Sequence, residues 1–223
     1  MPGGLYADGP HAATRAFEIG DPNLANEASL GVDLSLSKRT GRVTGTLNLF
    51  ANRFDDYIFE RFTGELEDGL QVIRFEQRDA EFRGAELQAL FNLFQGAVSH
   101  LDLELRGDYV RAELADSGEP LPRIPPLSYG LGLHYHRQRL QAWGEVRRGE
   151  AQNRVSENET PTAGYTLVGA GASYRFFVGG RVLDLILRGR NLTDEEARNH
   201  VSFLKDVAPL PGRDLSLGVR VSF

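Results

Sequence analysis

The chain has 223 residues, and its 25 Lys and Arg against 31 Asp and Glu give a net charge of −6, which excludes a strongly basic nucleic-acid binder. Hydrophobic residues make up 41%, yet no run reaches the ~18 consecutive apolar residues of a membrane-spanning helix, so a helical membrane protein is excluded too. Zero cysteine removes disulfides, thiolate metal sites and cysteine nucleophiles together.

The opening residues Met1-Pro2-Gly3-Gly4 lead into no basic stretch with an apolar core, so no secretory signal peptide is read there. Either the protein is cytosolic or its true N-terminus lies upstream. Residues 1–28 read as a loop segment. From residue 29 onward the dominant signal is alternation of period two, the mark of strands with two chemically different faces. Leu30, Val32, Leu34 and Leu36 oppose Asp33, Ser35 and Ser37, and Leu101, Leu103 and Leu105 oppose Asp102, Glu104 and Arg106. Further along, Leu183, Leu185 and Leu187 oppose Asp184 and Arg188, and the chain closes on Leu215, Leu217, Val219, Val221 and Phe223 against Asp214, Ser216, Gly218, Arg220 and Ser222.

This pattern predicts nine strands, at 29–37, 42–54, 71–92, 99–115, 127–137, 140–150, 164–177, 182–191 and 213–223. Their connections alternate. Short turns fall at Lys38–Gly41, Leu93–Val98, Gln138–Arg139 and Val178–Arg181, and long polar loops at 55–70, 116–126, 151–163 and 192–212. Short turns at one end, long loops at the other and two-faced strands between them describe an antiparallel transmembrane β-barrel. The apolar ladders would meet outer-membrane lipid and the polar ones a hydrated lumen or a plug, because hydrocarbon cannot satisfy charge. Aromatics near strand ends (Phe54, Tyr57, Phe59, Tyr109, Tyr129, Tyr165, Tyr174, Phe176, Phe177) suit interfacial girdles. Bacterial barrels close with an even strand number, so nine strands read as part of a larger barrel.

Enzymatic signatures are absent: no G-x-S-x-G elbow, phosphate loop or dinucleotide fingerprint occurs. Acid pairs such as Asp55-Asp56 and Glu195-Glu196 are adjacent, so on an extended chain they point to opposite sides and cannot cooperate as acid and base. The sequence therefore predicts a protein that is not an enzyme.

Several local segments resemble one family, the TonB-dependent outer-membrane receptors, over essentially the whole chain. Ser216-Leu217-Gly218-Val219-Arg220-Val221-Ser222-Phe223 is similar to the signal read by the barrel assembly machinery, with Ser216, Gly218, Val221 and Phe223 in the key places. Phe17 to Leu24 followed by Glu27 is similar to that family's loop-to-strand element "G-N-P-N-L-x-x-E", with Ala25-Asn26 where Lys-Pro is usual. Asn52 to Ile58 resembles its "F-x-N-x-x-x-D-Y-I" segment. Leu121-Pro122-Arg123-Ile124-Pro125-Pro126 resembles its proline-rich loop, and Arg190 to Glu196 with Pro211-Gly212-Arg213 its exit from the penultimate strand and return into the last.

The resemblance implies the last nine strands of a 22-stranded barrel in the outer membrane of a Gram-negative bacterium, with residues 1–28 an extracellular loop segment and 29–223 barrel. The plug domain and the segment that engages the TonB system would lie outside this chain. Gly9-Pro10-His11 and Asn199 to Asp206 are most similar to zinc-uptake receptors, so energised uptake of zinc or another metal or metal chelate is the expected function. A passive porin or small structural barrel, or a soluble secreted β-sandwich binding module, are the alternatives. Zinc takes nitrogen and oxygen donors, and His11, Glu18, His200 and Asp206 are the candidate ligands. No cofactor is expected. His134 and His136, spaced i, i+2 on one strand face near a short turn, read as hydrated or packed against a plug.

Overall fold

The computed structural model describes residues 3–222. A single helical turn, α1 (Gly3–Tyr6), precedes eleven strands: β1 (Asp8–His11), β2 (Ala16–Ile19), β3 (Ala28–Lys38), β4 (Val43–Glu67), β5 (Leu70–Gln95), β6 (Ser99–Leu114), β7 (Ser128–Arg137), β8 (Leu140–Gly149), β9 (Tyr165–Val178), β10 (Arg181–Arg190) and β11 (Asp214–Ser222). From β3 to β11 each strand pairs antiparallel with the next. These are the nine strands read from the alternation. The wall they form is open, with β3 paired only to β4 and β11 only to β10 among the described residues.

The register shows why alternation was so informative. Leu36, Leu47, Leu87 and Gly107 stand side by side across four strands, and so do Leu183 between Phe176 and Val221, and Leu187 between Ala172 and Leu217. Period-two side chains in matched register give one continuous apolar face. The opposite face is polar and internally bonded. Glu104 accepts from Gln88 at 3.1 Å and Arg106 at 2.8 Å, and its other oxygen meets His134 Nε2 at 3.1 Å. Asn92 donates to Asp102 at 2.8 Å, and Arg175 pairs with Asp184 at 2.7 Å. His134 and His136 lie on this face, and the His136 ring stacks on His100 at 4.8 Å.

Among the described residues neither face of the wall is covered by a second layer. Leu30, Val32, Leu131, Leu187 and Leu217 are all more than half exposed. A soluble β-sandwich would bury one of its faces, so that alternative fails on the architecture. The buried hydrophobic residues lie instead at the loop end: Phe59, Ala80, Ala112, Leu114 and Leu121 form one cluster, and Ala16, Phe62 and Ile73 a second with Phe203 against it.

That cap corrects the reading of residues 55–70 as a polar loop. β4 and β5 run on well past the wall to a tight turn at Asp68-Gly69, making strands of 25 and 26 residues. Two irregularities interrupt the pairing, one between Phe54 and Tyr57 and one between Phe62 and Leu66, with Asp56 and Gly64 at positive φ. The first inserts one extra residue in β4 and so swaps the faces its side chains take, and the second inserts two, so the strand hides from a strict period-two count. The same extension corrects three of the expected girdle aromatics. Phe59 is core, and Phe54 and Tyr57 pack edge-on against each other and against Phe82 at 5.1 to 5.2 Å. Tyr109, Tyr129, Tyr174 and Phe176 do stand exposed on the apolar face.

Residues before β3 are also more ordered than a loop. β1 and β2 form a hairpin, and β2 pairs parallel with Gln71–Arg74 of β5, beyond the point where β6 ends opposite Ala80. Loops 116–126, 151–163 and 192–212 remain irregular, with isolated bridges at Glu113–Pro120 and Gln152–Thr162.

Candidate functional site

The three irregular loops converge on one carboxylate that the sequence reading passed over. Glu159 Oε1 accepts the Arg123 amide at 2.9 Å and faces His200 Nε2 at 3.2 Å, while Oε2 accepts the Ser156 amide at 3.1 Å and its hydroxyl at 3.2 Å. Arg123, Ser156 and His200 belong to three different loops, so this carboxylate is the knot between them. Burial alone would raise its pKa. The hydrogen bonds from His200 and from the two amides prevail and hold the carboxyl below its ordinary range. The one available sequence signal was the spacing Ser156-x-x-Glu159, which allows a serine amide and a glutamate side chain to bond reciprocally across a turn. Its partner His200, 41 positions on, leaves no local trace.

Around this knot the other loop anchors are charge pairs. Arg61 on the β4 extension meets Glu76 at 2.7 Å and both Glu119 and Glu157 at 3.3 Å, and Arg123 meets Glu60 at 2.8 Å while stacking 3.9 Å from the Phe203 ring. Lys205 is buried, donating to the Thr160 carbonyl at 2.6 Å and to the Thr160 hydroxyl. The neck of loop 192–212 is closed by Asn191, whose amide donates to the Glu195 and Pro211 carbonyls at 2.8 and 3.2 Å, and by Asp194, which accepts the Arg213 amide at 2.8 Å. That amide, with the Arg213 charge beside it, holds the Asp194 carboxyl low. Glu27 and Gln77 sew the segment before β3 to the irregular stretch of β4: Glu27 accepts the Ile58 amide at 2.7 Å, and Gln77 exchanges bonds with Ala25 at 2.8 and 2.9 Å.

Between these anchored pieces lies a cleft of about 240 Å³, walled by Thr14 and Arg15 from the β1–β2 turn, Gln71 from β5, Arg123, and Lys205 and Asp206 from the last loop. Of the four candidate ligands Asp206 lines it, while His11, Glu18 and His200 stand outside its wall. His11 Nδ1 and Glu18 Oε1 are 3.2 Å apart, with the Thr14 hydroxyl donating to Glu18 at 2.7 Å. Asp206 is exposed and accepts from Thr160 at 2.8 Å. His200 is 2% exposed and both ring nitrogens are engaged, Nδ1 with the Thr162 hydroxyl at 3.0 Å and Nε2 with Glu159. Among the described residues no three His, Asp or Glu side chains gather in an arrangement that could hold a metal ion. Of the assembly-signal residues, Ser216, Gly218 and Val221 lie in β11, and Phe223 lies outside the described residues.

An open antiparallel wall with one apolar face and a loop crown at one end is the architecture of an outer-membrane barrel. The sequence matches the family described as TonB dependent receptor-like, beta-barrel over residues 2–192, and the chain belongs to that family. Solved structures agree on the fold. A structure titled as the copper transporter OprC superimposes with a TM-score of 0.76 at 20% identity, covering 91% of this chain and 32% of that one. The FrpB iron transporter from Neisseria meningitidis gives 0.64 at 15% identity, with 91% and 31% covered, and the siderophore receptor PirA from Acinetobacter baumannii gives 0.64 at 16%, with 92% and 33% covered. The chain spans about a third of the length of each. Family membership makes it an outer-membrane protein of a Gram-negative bacterium and not an enzyme. The cytosolic alternative falls with that placement.

Proposed function

We propose that this chain is the C-terminal wall and part of the extracellular crown of a receptor that takes up a metal or metal chelate, energised through the TonB system and gated by a plug domain, with zinc as the preferred cargo. The loop end faces outward, residues 1–28 belong to the extracellular side and 29–223 to the barrel, the apolar face meets lipid, and the end of β11 is what the barrel assembly machinery reads. Similar structures titled as copper, iron and siderophore transporters or receptors support metal or chelate uptake as the class. The observation that carries cargo capture is the His11–Glu18 pair, joined to the cleft wall through Thr14. An imidazole and a carboxylate are two of the four donors zinc ordinarily takes. Asp206 on the cleft wall is the other candidate, and because it does not gather with the pair, residues of the plug would have to complete the set. His200 belongs to the loop knot in this reading.

Calorimetric titration of the full-length receptor with zinc, copper and a ferric chelate tests it. The His11→Ala, Glu18→Gln double variant should bind zinc at least about tenfold more weakly, and acidification should weaken the unaltered receptor because a metal displaces protons from its ligands. Tighter binding of copper or of the chelate would replace zinc as cargo. Uptake that persists in cells depleted of TonB would restore the passive-porin reading.

A further inference from the structure

One feature of the apolar face does not belong to a simple lipid-facing ladder. Above Ala85 and Tyr109 the next cross-strand pair is Arg83 with Arg111, two guanidiniums directly opposite one another. Like charges so placed are destabilising. A third, Arg154, reaches over from loop 151–163, and all three converge on Glu113: Arg83 at 3.3 Å, Arg111 at 2.8 Å and Arg154 at 2.6 Å. One carboxylate cannot neutralise three cations. Glu81 stands beside Glu113 in register, and Arg53 opposite it on β4 is itself paired with Asp55 and Asp79 at 3.8 Å, so the three arginines around Glu113 face two acids, Glu113 and Glu81. Arg154 has a separate tethering task, since it also donates to the Ala112 and Gly118 carbonyls at 3.2 Å. Among the described residues Arg83 and Arg111 bond to Glu113 alone, and their side chains are 58% and 38% exposed.

Their height is informative. Leu101 marks the lower end of the β6 apolar ladder, and Arg111 stands ten residues further along the same face. At about 3.4 Å per residue and the ~35–45° tilt of barrel strands, that is a rise of about 25 Å, the height of the apolar band of such a barrel. Tyr109, one step below on the same face, is the aromatic expected at that boundary.

We propose that Arg83 and Arg111, with Arg154 behind them, form a binding site for a phosphate group of an outer-leaflet lipid headgroup, a phosphorylated saccharolipid seated against the outside of the wall. Paired guanidiniums present parallel donors that match phosphate oxygens, and a shared anion turns their mutual repulsion into attraction. The site rests on the orientation proposed above, with the loop end outward and the apolar face in lipid.

The test uses full-length receptor in lipid nanodiscs and native mass spectrometry of retained lipid, with diphosphorylated lipid A and its enzymatically dephosphorylated form as probes. The unaltered receptor should retain the phosphorylated probe about tenfold better, the scale of one charge-assisted hydrogen bond. The Arg83→Ala, Arg111→Ala double variant should lose that preference, and Arg83→Lys, Arg111→Lys should keep part of it. Equal retention of both probes by the unaltered receptor overturns the site without recourse to any variant, and so does an undiminished preference in the double alanine variant. Displacement by millimolar inorganic phosphate would assign the site to a free anion and overturn the lipid assignment. A cysteine placed at Asn158 and labelled on intact cells reports the orientation separately. Labelling from outside with no phosphate preference discards the lipid site alone, whereas protection there would put the arginines at the inner leaflet and discard both readings.

Discussion

The wall and the cap are made from the same strands, and they solve burial in opposite ways. From Val43 to Phe54, β4 alternates between an apolar and a polar face and has no fully buried residue; from Phe59 to Phe62 the same strand contributes to two internal clusters with Ile73, Leu114 and Leu121. The difference lies in what each half can borrow. A ladder surrounded by hydrocarbon needs no partner side chains, whereas chain that has left the membrane must supply its own apolar neighbours. The wall is therefore held by register, and the cap by packing and by a buried polar knot.

The sharpest way to break this comparison is a cavity in the cap. Ile73 is fully buried, and Ile73→Ala should cost about 2–5 kcal/mol. The loss should stay local: hydrogen exchange in the full-length receptor should accelerate at 59–62 and 70–73 while the wall amides of β9 to β11 stay protected. Equal acceleration in both regions would make them one cooperative unit. In the wall the damaging change is polarity. Leu185→Arg or Leu217→Arg should cost about 2–4 kcal/mol near the bilayer midplane in a lipid-refolding titration, and the mirror-face change Ser216→Ala should stay within about 0.5 kcal/mol.

A smaller effect separates the knot from the packing around it. Glu159→Gln keeps the shape and removes the charge, and should cost about 1–3 kcal/mol by leaving buried donors poorly matched. Because the folded carboxyl titrates below its unfolded value, its contribution is complete above the ordinary Glu range and is lost as pH falls through the lowered folded value. Loop protection in the native receptor should therefore decline on acidification, and Glu159→Gln should flatten that dependence. A profile unchanged by the substitution would mean that another carboxylate dominates.

The same contrast explains what could be read from the sequence. Leu183, Leu185 and Leu187 announce their strand because a wall with one apolar and one polar face imposes a strict alternation, and so the nine wall strands were legible. Tyr57 to Phe62 carry enough apolar residues for a strand, but Asp55, Asp56, Glu60 and Arg61 among them look like a solvated loop, and the irregularities beside Asp56 and Gly64 break the count. β1 and β2 are four residues each, and Gly9-Pro10 argues against a strand until a neighbour is known. At the candidate site, the His11–Glu18 contact links neighbours across a hairpin and was within reach of sequence. The His200–Glu159 contact joins separate loops, and no spacing rule predicts it.

The parallel pairing of β2 with β5 has a consequence for the order of assembly. Ala16 meets Gln71 across 55 positions of chain, whereas the hairpin neighbours of the wall meet just across their turns. Closing a long stretch of chain costs entropy before any contact is rewarded, so such contacts form late. The edge that β2 joins belongs to β5, so β5 must be in place first. The cleft and the His11–Glu18 pair should thus mature late in folding, and the parts proposed to meet cargo would become competent only once the wall beneath them is built.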